Sequence, residues 1–571
     1  MSDRPTLRRE DRILAGLFVL ALALHLTLAT RNWTAGFMPG HEFRQAQTAF
    51  ISQIIDRENN FSLLYETPLL GKPWVSILLE VPFYEWSVVV LSRAAHVSHV
   101  VAARSISLGC FYLCLPACWL LLARFGLSRP RRLLTLILIL CCPVYIFYSR
   151  SFLMESMELM CCAWFLFGFI RMMDRRRWPW FLLTALAGTG AALIKSATLA
   201  VWLLPAAAYG AWMLWRELRS RRGWGGALET IFWGIAGVIV PLGMLRLWIE
   251  LTDPLKAAHA SAWIFTSKNL SQGNWGLTDL GARFSPATWG ILGDRWREAV
   301  MPPWLLGVAL LTGLIAFPAQ RCRIAGLASV FFLAQLMFPF AYAYQEYYFY
   351  ACAIFLLGGL GFALHGLLDS RLPRWLCWTL LLVLPFAQLH TYWRVYYPQQ
   401  VVQSDGGFAF TDALRRFLPR ESVIVVAGAD WAGIIPLYSG HKALMIRNGL
   451  HSDPAYLTRA FAELADEDVA ALVLVEDQRS NRGLLERAVA NFGLAEVPTF
   501  THQIADVYCS PRYAAQVNRG IQDLHYYGGE VKPGPAQPDF NWETVKFRIS
   551  EGYARSMFSN VKPAPLRGHF R

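Results

Sequence analysis

Long apolar runs recur along the chain, among them Ile13–Thr30, Arg132–Tyr148 and Gly326–Tyr342, and short arginine clusters separate them. A hydrocarbon core of ~30 Å needs ~20 helical residues, so several of these runs are long enough to cross it. No small-residue cleavage site follows the first run, which therefore reads as a retained helix rather than a signal peptide. The composition agrees: 55% of the 571 residues are hydrophobic and 16% are charged, against about 25% charged in an ordinary soluble domain.

The net charge of +13 could in principle serve nucleic acid, but its placement argues against that partner. The arginines stand in short groups between apolar runs, where they orient helices instead of lining a groove. The groups are Arg4/Arg8/Arg9/Arg12, Arg124/Arg129/Arg131/Arg132, Arg171/Arg175/Arg176/Arg177, Arg216/Arg219/Arg221/Arg222, Arg321/Arg323 and Arg371/Arg374. Cytoplasmic loops retain Lys and Arg, so an even number of crossings must separate neighbouring groups. About eleven helices satisfy this, near 13–30, 105–123, 132–148, 156–171, 179–193, 197–215, 227–249, 303–318, 324–343, 348–368 and 375–393. The N-terminus is then cytoplasmic and the C-terminus outside.

One apolar stretch, Ser76–Ala95, breaks this pattern if it crosses. It carries Glu80, Pro82, Glu85 and Arg93, each costly at the bilayer centre, and is expected to be interfacial or re-entrant within an outside loop 31–104. A second long outside loop covers 250–302. The chain thus divides into a polytopic helical domain, 1–395, and an outside domain, 396–571. In the latter, short apolar runs at Ser422–Ala427, Lys442–Ile446 and Val469–Glu476 alternate with helical segments, which predicts a small α/β layer. Beyond Ser510 the chain reads as an irregular tail. There is no G-x-G-x-x-G and no zinc-type cysteine spacing. Nine of the eleven cysteines lie in apolar runs, and no disulfide is expected.

The chemistry is carried by polar side chains at the outer ends of these helices. Glu42 and Arg44 lie just past the first run, in His41-Glu42-Phe43-Arg44-Gln45-Ala46. On residue types alone, a solvated helix cap is the simpler account of them, and a general base or metal ligand is the alternative. Lys72, in Gly71-Lys72-Pro73, can snorkel or meet a phosphate. Arg104 begins the second expected helix, Arg150 and Glu155 flank the turn before the fourth, Lys195 sits in the turn at 194–196, and Glu346-Tyr347-Tyr348 opens the tenth. Unrelated snorkelling residues would explain each one singly. Together, two carboxylates and several cations on one face of a membrane would suit an anionic phosphate whose lipid tail stays in the bilayer.

With these motifs in order, the chain resembles the GT-C membrane glycosyltransferases, a superfamily that includes protein O-mannosyltransferases and the lipid A aminoarabinose transferases. The resemblance rests on the acidic first-loop motif at 41–46, on Gly71-Lys72-Pro73 before an interfacial helix, and on Arg150 with Glu155. It extends to Ala102-Ala103-Arg104-Ser105, the Lys195 turn and Glu346-Tyr347-Tyr348, and covers roughly residues 10–395. Both acid positions, often aspartate in the family, are glutamate here. The resemblance implies an all-α GT-C-like membrane domain in a bacterial inner membrane, with a periplasmic C-terminal domain. It implies inverting transfer of a sugar from a polyprenyl-phosphate-linked donor to a periplasmic-side acceptor: lipid A or another glycolipid, a polysaccharide or a protein. Glu42 and Glu155 would be the catalytic carboxylates. Arg44, Lys72, Arg104, Arg150, Lys195, Glu346 and Tyr347 would bind the donor phosphate and substrate. It makes no cofactor certain; a divalent cation is left open, with Glu42 and Glu155 as its carboxylates. A polysaccharide polymerase or ligase using lipid-linked glycans, or a lipid or sugar transporter, is the rival reading. A transporter predicts ionisable residues near mid-membrane, of which the sequence has few.

Overall fold

The computed structural model describes residues 9–37, 42–220, 223–273, 277, 279–401, 408–523 and 531–533. It divides into two compact units. The first comprises 1–33, 101–250 and 267–401, and the second 34–100, 251–266 and 402–571.

The first unit is helical. It contains α1 (Arg9–Ala29), most of α4 (His99–Arg124), α5 (Arg129–Cys141), α6 (Pro143–Tyr148), α7 (Glu155–Arg175), α8 (Trp178–Leu218) and most of α9 (Gly223–Ala258). The second unit holds α2 (Glu42–Glu58) and α3 (Phe83–Ala95). Among the described residues six helices, α1, α4, α7, α8, α9 and Glu346–Leu368, are long and apolar enough to cross a membrane. A seventh candidate is the pair Pro286–Ala299 and Pro303–Ala316, bent by 88°. Several other expected crossings are shorter or broken. The run at 132–148 is interrupted before Pro143, whose ring cannot continue the preceding hydrogen-bond ladder. Arg321–Met337 has 17 residues. The expected turn at 194–196 is a break inside α8, where Lys195 leaves helical geometry (φ −161°, ψ 88°).

In this unit α1, α4, α7 and the helix Phe349–Leu368 each have an arginine-rich end and a site-bearing end. At the former, Arg124 pairs with Asp174 at 2.6 Å, Arg131 with Asp369, Arg176 with Glu229, and Arg374 with Glu10 at 3.3 Å. These contacts join the ends of α4 to α7, α7 to α9, and α5 to the helix Phe349–Leu368. The opposite ends of α1, α4, α7 and Phe349–Leu368 carry the candidate site.

The second unit is built on a six-stranded sheet: β1 (Val423–Ala427), β2 (Lys442–Ile446), β3 (Val469–Val475), β4 (Phe500–His502), β5 (Ala505–Cys509) and β6 (Val531–Pro533). The order is β2-β1-β3-β5-β4-β6, with β1 parallel to β2 and β3 and the remaining pairs antiparallel. The first three strands are buried nearly throughout, as expected of parallel strands covered on both faces. The free edge of β2 is taken up by Pro68–Gly71: Ala443 and Met445 donate to Pro68 and Leu69, and Gly71 donates back to Ala443.

Two features differ from expectation. Helical structure in the stretch 76–95 begins only after Pro82, and α3 has 13 residues. Beyond Ser510 the chain is regular at first: Pro511–Asp523 is a helix, started by proline in its first turn. Its Tyr513, Val517 and Ile521, four residues apart, are buried, and this apolar stripe was hidden by the polar composition around it. Residues 534–571 lie outside the described residues.

Candidate functional site

In the first unit the end of α1 is held by two guanidinium groups. Arg150 donates to the carbonyls of Arg31 and Asn32, the latter at 2.9 Å, and Arg104 donates to those of Asn32, at 3.1 Å, and Trp33. These carbonyls belong to the turn just past α1, where no helical ladder satisfies them and the guanidinium N–H groups supply their donors. Arg150 is 1% exposed and Arg104 3%. Burial, and after it the neighbouring Arg104, hold the Arg150 side chain down to about 9, and its buried Nε has no hydrogen-bond partner among the described residues. The turn that carries Arg150 is fixed by Ser107, whose hydroxyl donates to the carbonyl of Ser151 at 2.8 Å.

The break in α8 has a partner. Lys195 Nζ donates to Glu155 Oε1 at 2.8 Å and stands 4.8 Å from the ring centre of Tyr347 and 4.0 Å from that of Tyr348. Both charges are buried, Lys195 12% and Glu155 7% exposed as side chains. Glu346 accepts from the Tyr148 hydroxyl at 2.7 Å and lies 3.5 Å from Arg295. Five of the expected residues, Arg104, Arg150, Glu155, Lys195 and Glu346, thus lie at one end of this unit, with Tyr347 beside Lys195.

The second unit holds the other three. Glu42 opens α2; His41 lies outside the described residues. Arg44 pairs with Glu80 and donates to Gln47 Oε1 at 3.2 Å. Lys72 bonds Asp466 and Glu467, both at 2.7 Å. Gln47 in turn donates to the Trp431 carbonyl at 2.9 Å, which ties the Glu42 helix to the turn after β1. Among the described residues no group of three or more His, Cys, Asp or Glu is placed to hold a metal ion.

Sequence reasoning did not single out Arg295, Tyr148 or the carbonyls at the end of α1. Arg295 had a signal: it stands among Asp294, Arg297 and Glu298 in the expected outside loop 250–302. The carbonyls had none.

Between α1, α4 and α5 an apolar groove opens, with a volume of about 700 Å³. Leu26 and Tyr112 stand at its site end and Phe18, Trp119 and Leu133 farther along.

No family model matches the sequence, and no curated protein matches it. Solved structures do match. ArnT from Cupriavidus metallidurans in the apo state superposes with a TM-score of 0.56 at 14% identity, over 88% of this chain and 99% of that one. The fold is that of the GT-C membrane glycosyltransferases. ArnT bound to undecaprenyl phosphate gives 0.55 at 14% identity, over 87% and 99%. The archaeal oligosaccharyltransferase AglB from Archaeoglobus fulgidus, in complex with an inhibitory peptide and a dolichol-phosphate, gives 0.53 at 12% identity, over 83% and 71%. The described helices that are long and apolar enough to cross a membrane fit a multi-pass membrane protein.

Proposed function

We propose that the protein is a membrane glycosyltransferase that moves a sugar from a polyprenyl-phosphate-linked donor to an acceptor on the non-cytoplasmic side. The observation that carries this reading is in the first unit. Two buried guanidinium groups, Arg104 and Arg150, meet on the turn just past α1, and an apolar groove between α1, α4 and α5 lies in the same unit. A lipid phosphate suits that pair, and its isoprenoid tail suits the groove. The bound molecules of two GT-C neighbours, an undecaprenyl phosphate and a dolichol-phosphate, are of this chemical class.

Preplaced cations stabilise the phosphate as it leaves, because the donors are oriented before charge develops and need no reorganisation. Lys195, held by Glu155, supplies a further cation at the same end. A carboxylate accepts the proton of the acceptor hydroxyl as that oxygen attacks the anomeric carbon, with inversion. Glu42 is assigned this role and Glu155 that of orienting Lys195. General-base help is typically about 10²–10⁴-fold.

The test is transfer from a synthetic polyprenyl-phosphate sugar to envelope extract by the purified protein. Glu42→Gln is expected to lower kcat by about 10²-fold or more with little change in donor KM. Arg150→Gln is expected to raise donor KM. Full transfer by Glu42→Gln, with Glu155→Gln inactive, would move the base role to Glu155; full transfer by both would remove the carboxylate mechanism.

A further inference from the structure

In the second unit the strand order reverses at β1: the chain leaves β1 for β2 on one side and returns to β3 on the other. Open α/β sheets take their ligands at the carboxyl ends of the strands, at such a reversal. Here those ends carry Asp430 and Trp431 after β1, Arg447 after β2 and Glu476 after β3. Asp430 (φ 47°) and Glu476 (φ 52°) both stand in the left-handed region. Side chains rarely adopt that conformation, and it collects where a fold holds a ligand.

The side chains at the β1 and β2 ends converge. Asp430 Oδ1 accepts from the Asn448 nitrogen at 3.0 Å and joins the two ends. Trp431 is half-buried against Phe265 at 4.6 Å and Phe43 at 5.4 Å. Arg447 lies over the same Phe265, 6.0 Å from its ring centre. The Arg447 Nε is buried, and among the described residues its guanidinium has neither a hydrogen bond nor an ion pair. The Trp431 indole N–H donates to nothing among them either. Buried donors are normally satisfied, so these donors are matched to something the chain does not supply.

Their place in the unit says what that is. Phe43, packed on Trp431, follows Glu42 directly, and Gln47 of the same helix bonds the Trp431 carbonyl at 2.9 Å. The cluster therefore adjoins the helix that opens with the assigned base, where the acceptor hydroxyl has to arrive. A sugar ring fits the residue types: its C–H face can lie on an indole, and its hydroxyls both donate, to Asp430, and accept, from Arg447 and the indole N–H. We propose that this cluster is the acceptor subsite and that the acceptor is a glycan, its sugar ring on Trp431 and its hydroxyls on Asp430 and Arg447. The assignment rests on the glycosyltransferase reading.

The test is saturation-transfer NMR on the full chain in detergent. The probes are the methyl glycosides of glucose, galactose, mannose and N-acetylglucosamine, and a capped tetrapeptide containing serine and threonine. At least one glycoside is expected to bind and the peptide is not. Trp431→Ala and Arg447→Gln should each weaken that binding about tenfold or more, the size of one lost hydrogen bond to a charged group. In the transfer assay both should raise acceptor KM and leave hydrolysis of the donor by water unchanged. Where Trp431→Ala does not fold, Arg447→Gln decides alone. Absence of glycoside binding, undiminished binding by Arg447→Gln, or binding of the peptide instead would overturn the subsite. Glycoside binding without any donor turnover would sink the glycosyltransferase reading and keep the sugar site; turnover without glycoside binding would do the reverse.

Discussion

Buried charges at the site end are arranged in pairs whose members depend on each other. Glu155 and Lys195, bonded at 2.8 Å, illustrate the asymmetry that burial imposes. Removing one partner leaves the other charge uncompensated, at about 3–5 kcal/mol, whereas replacing both removes two desolvation penalties together. Glu155→Gln and Lys195→Met should each lower the unfolding midpoint in detergent markedly, and the double variant should lose less than the sum by at least about 1 kcal/mol. Strict additivity would mean that the contact carries no coupling. Glu85 makes a second residue-scale case. Burial, opposed by its own backbone N–H and reinforced by Glu80, raises its carboxyl to about 8 from a usual 4.5. The folded chain therefore keeps a proton that the unfolded chain releases, so stability falls as pH rises from 4.5 to 8. Glu85→Gln should flatten the Tm profile across that window; an unchanged slope would assign it to another group. The acidic and basic members of the candidate site were singled out in the sequence because charge at a membrane helix end needs a reason. Their pairing was not legible: Arg104 and Arg150 meet on the carbonyl of Asn32, and no residue type marks a carbonyl.

Among elements, α2 shows how the chain places a functional helix. Its first turn rests on the turn after β1: Phe43 packs edge-on against Trp431 at 5.4 Å, and Gln47 donates to the Trp431 carbonyl. A Cβ on Gly433 would lie 2.8 Å from the Gln47 nitrogen and 2.9 Å from two further backbone atoms of Ala46 and Gln47. Backbone cannot swing aside as a side chain can. Gly433→Val should therefore push α2 off its seat, at a cost of about 1–3 kcal/mol for overpacking. Hydrogen exchange should rise in 42–50 while β1 and β3 stay protected; equal exposure of helix and sheet would indicate general unfolding instead. The sheet's first half was readable because its strands are continuous apolar runs between amphipathic helices. The β4–β5 hairpin was missed: β4 has three residues, and β5 carries Asp506, which is tolerated in a buried strand because Arg479 bonds it at 2.8 Å. The break at Lys195 was legible: the expected turn between two helices is where the backbone leaves helical geometry, and what the sequence did not show is that the Lys195 side chain is held by Glu155.

For the whole molecule, the arginine pattern reaches furthest, because it converts a one-dimensional list of clusters into two opposite ends. The contacts of the first unit sort the same way: Arg124, Arg131, Arg176 and Arg374 at one set of helix ends, Arg104, Arg150 and Lys195 toward the other. Which end faces the cytoplasm is decided by the positive-inside rule, and the protein carries its own probe of it. Cys322, beside Arg321, is the exposed cysteine among the described residues; Cys161 is partly covered within α7, and the remaining nine are buried. A membrane-impermeant maleimide should therefore label the wild-type protein in inside-out vesicles and leave it unlabelled in right-side-out ones. Cys322→Ser should abolish the signal. Labelling from outside would invert every assignment that rests on the arginines. It would put Arg104, Arg150 and Glu155 on the cytoplasmic leaflet, where a donor presented on the periplasmic face could not reach them.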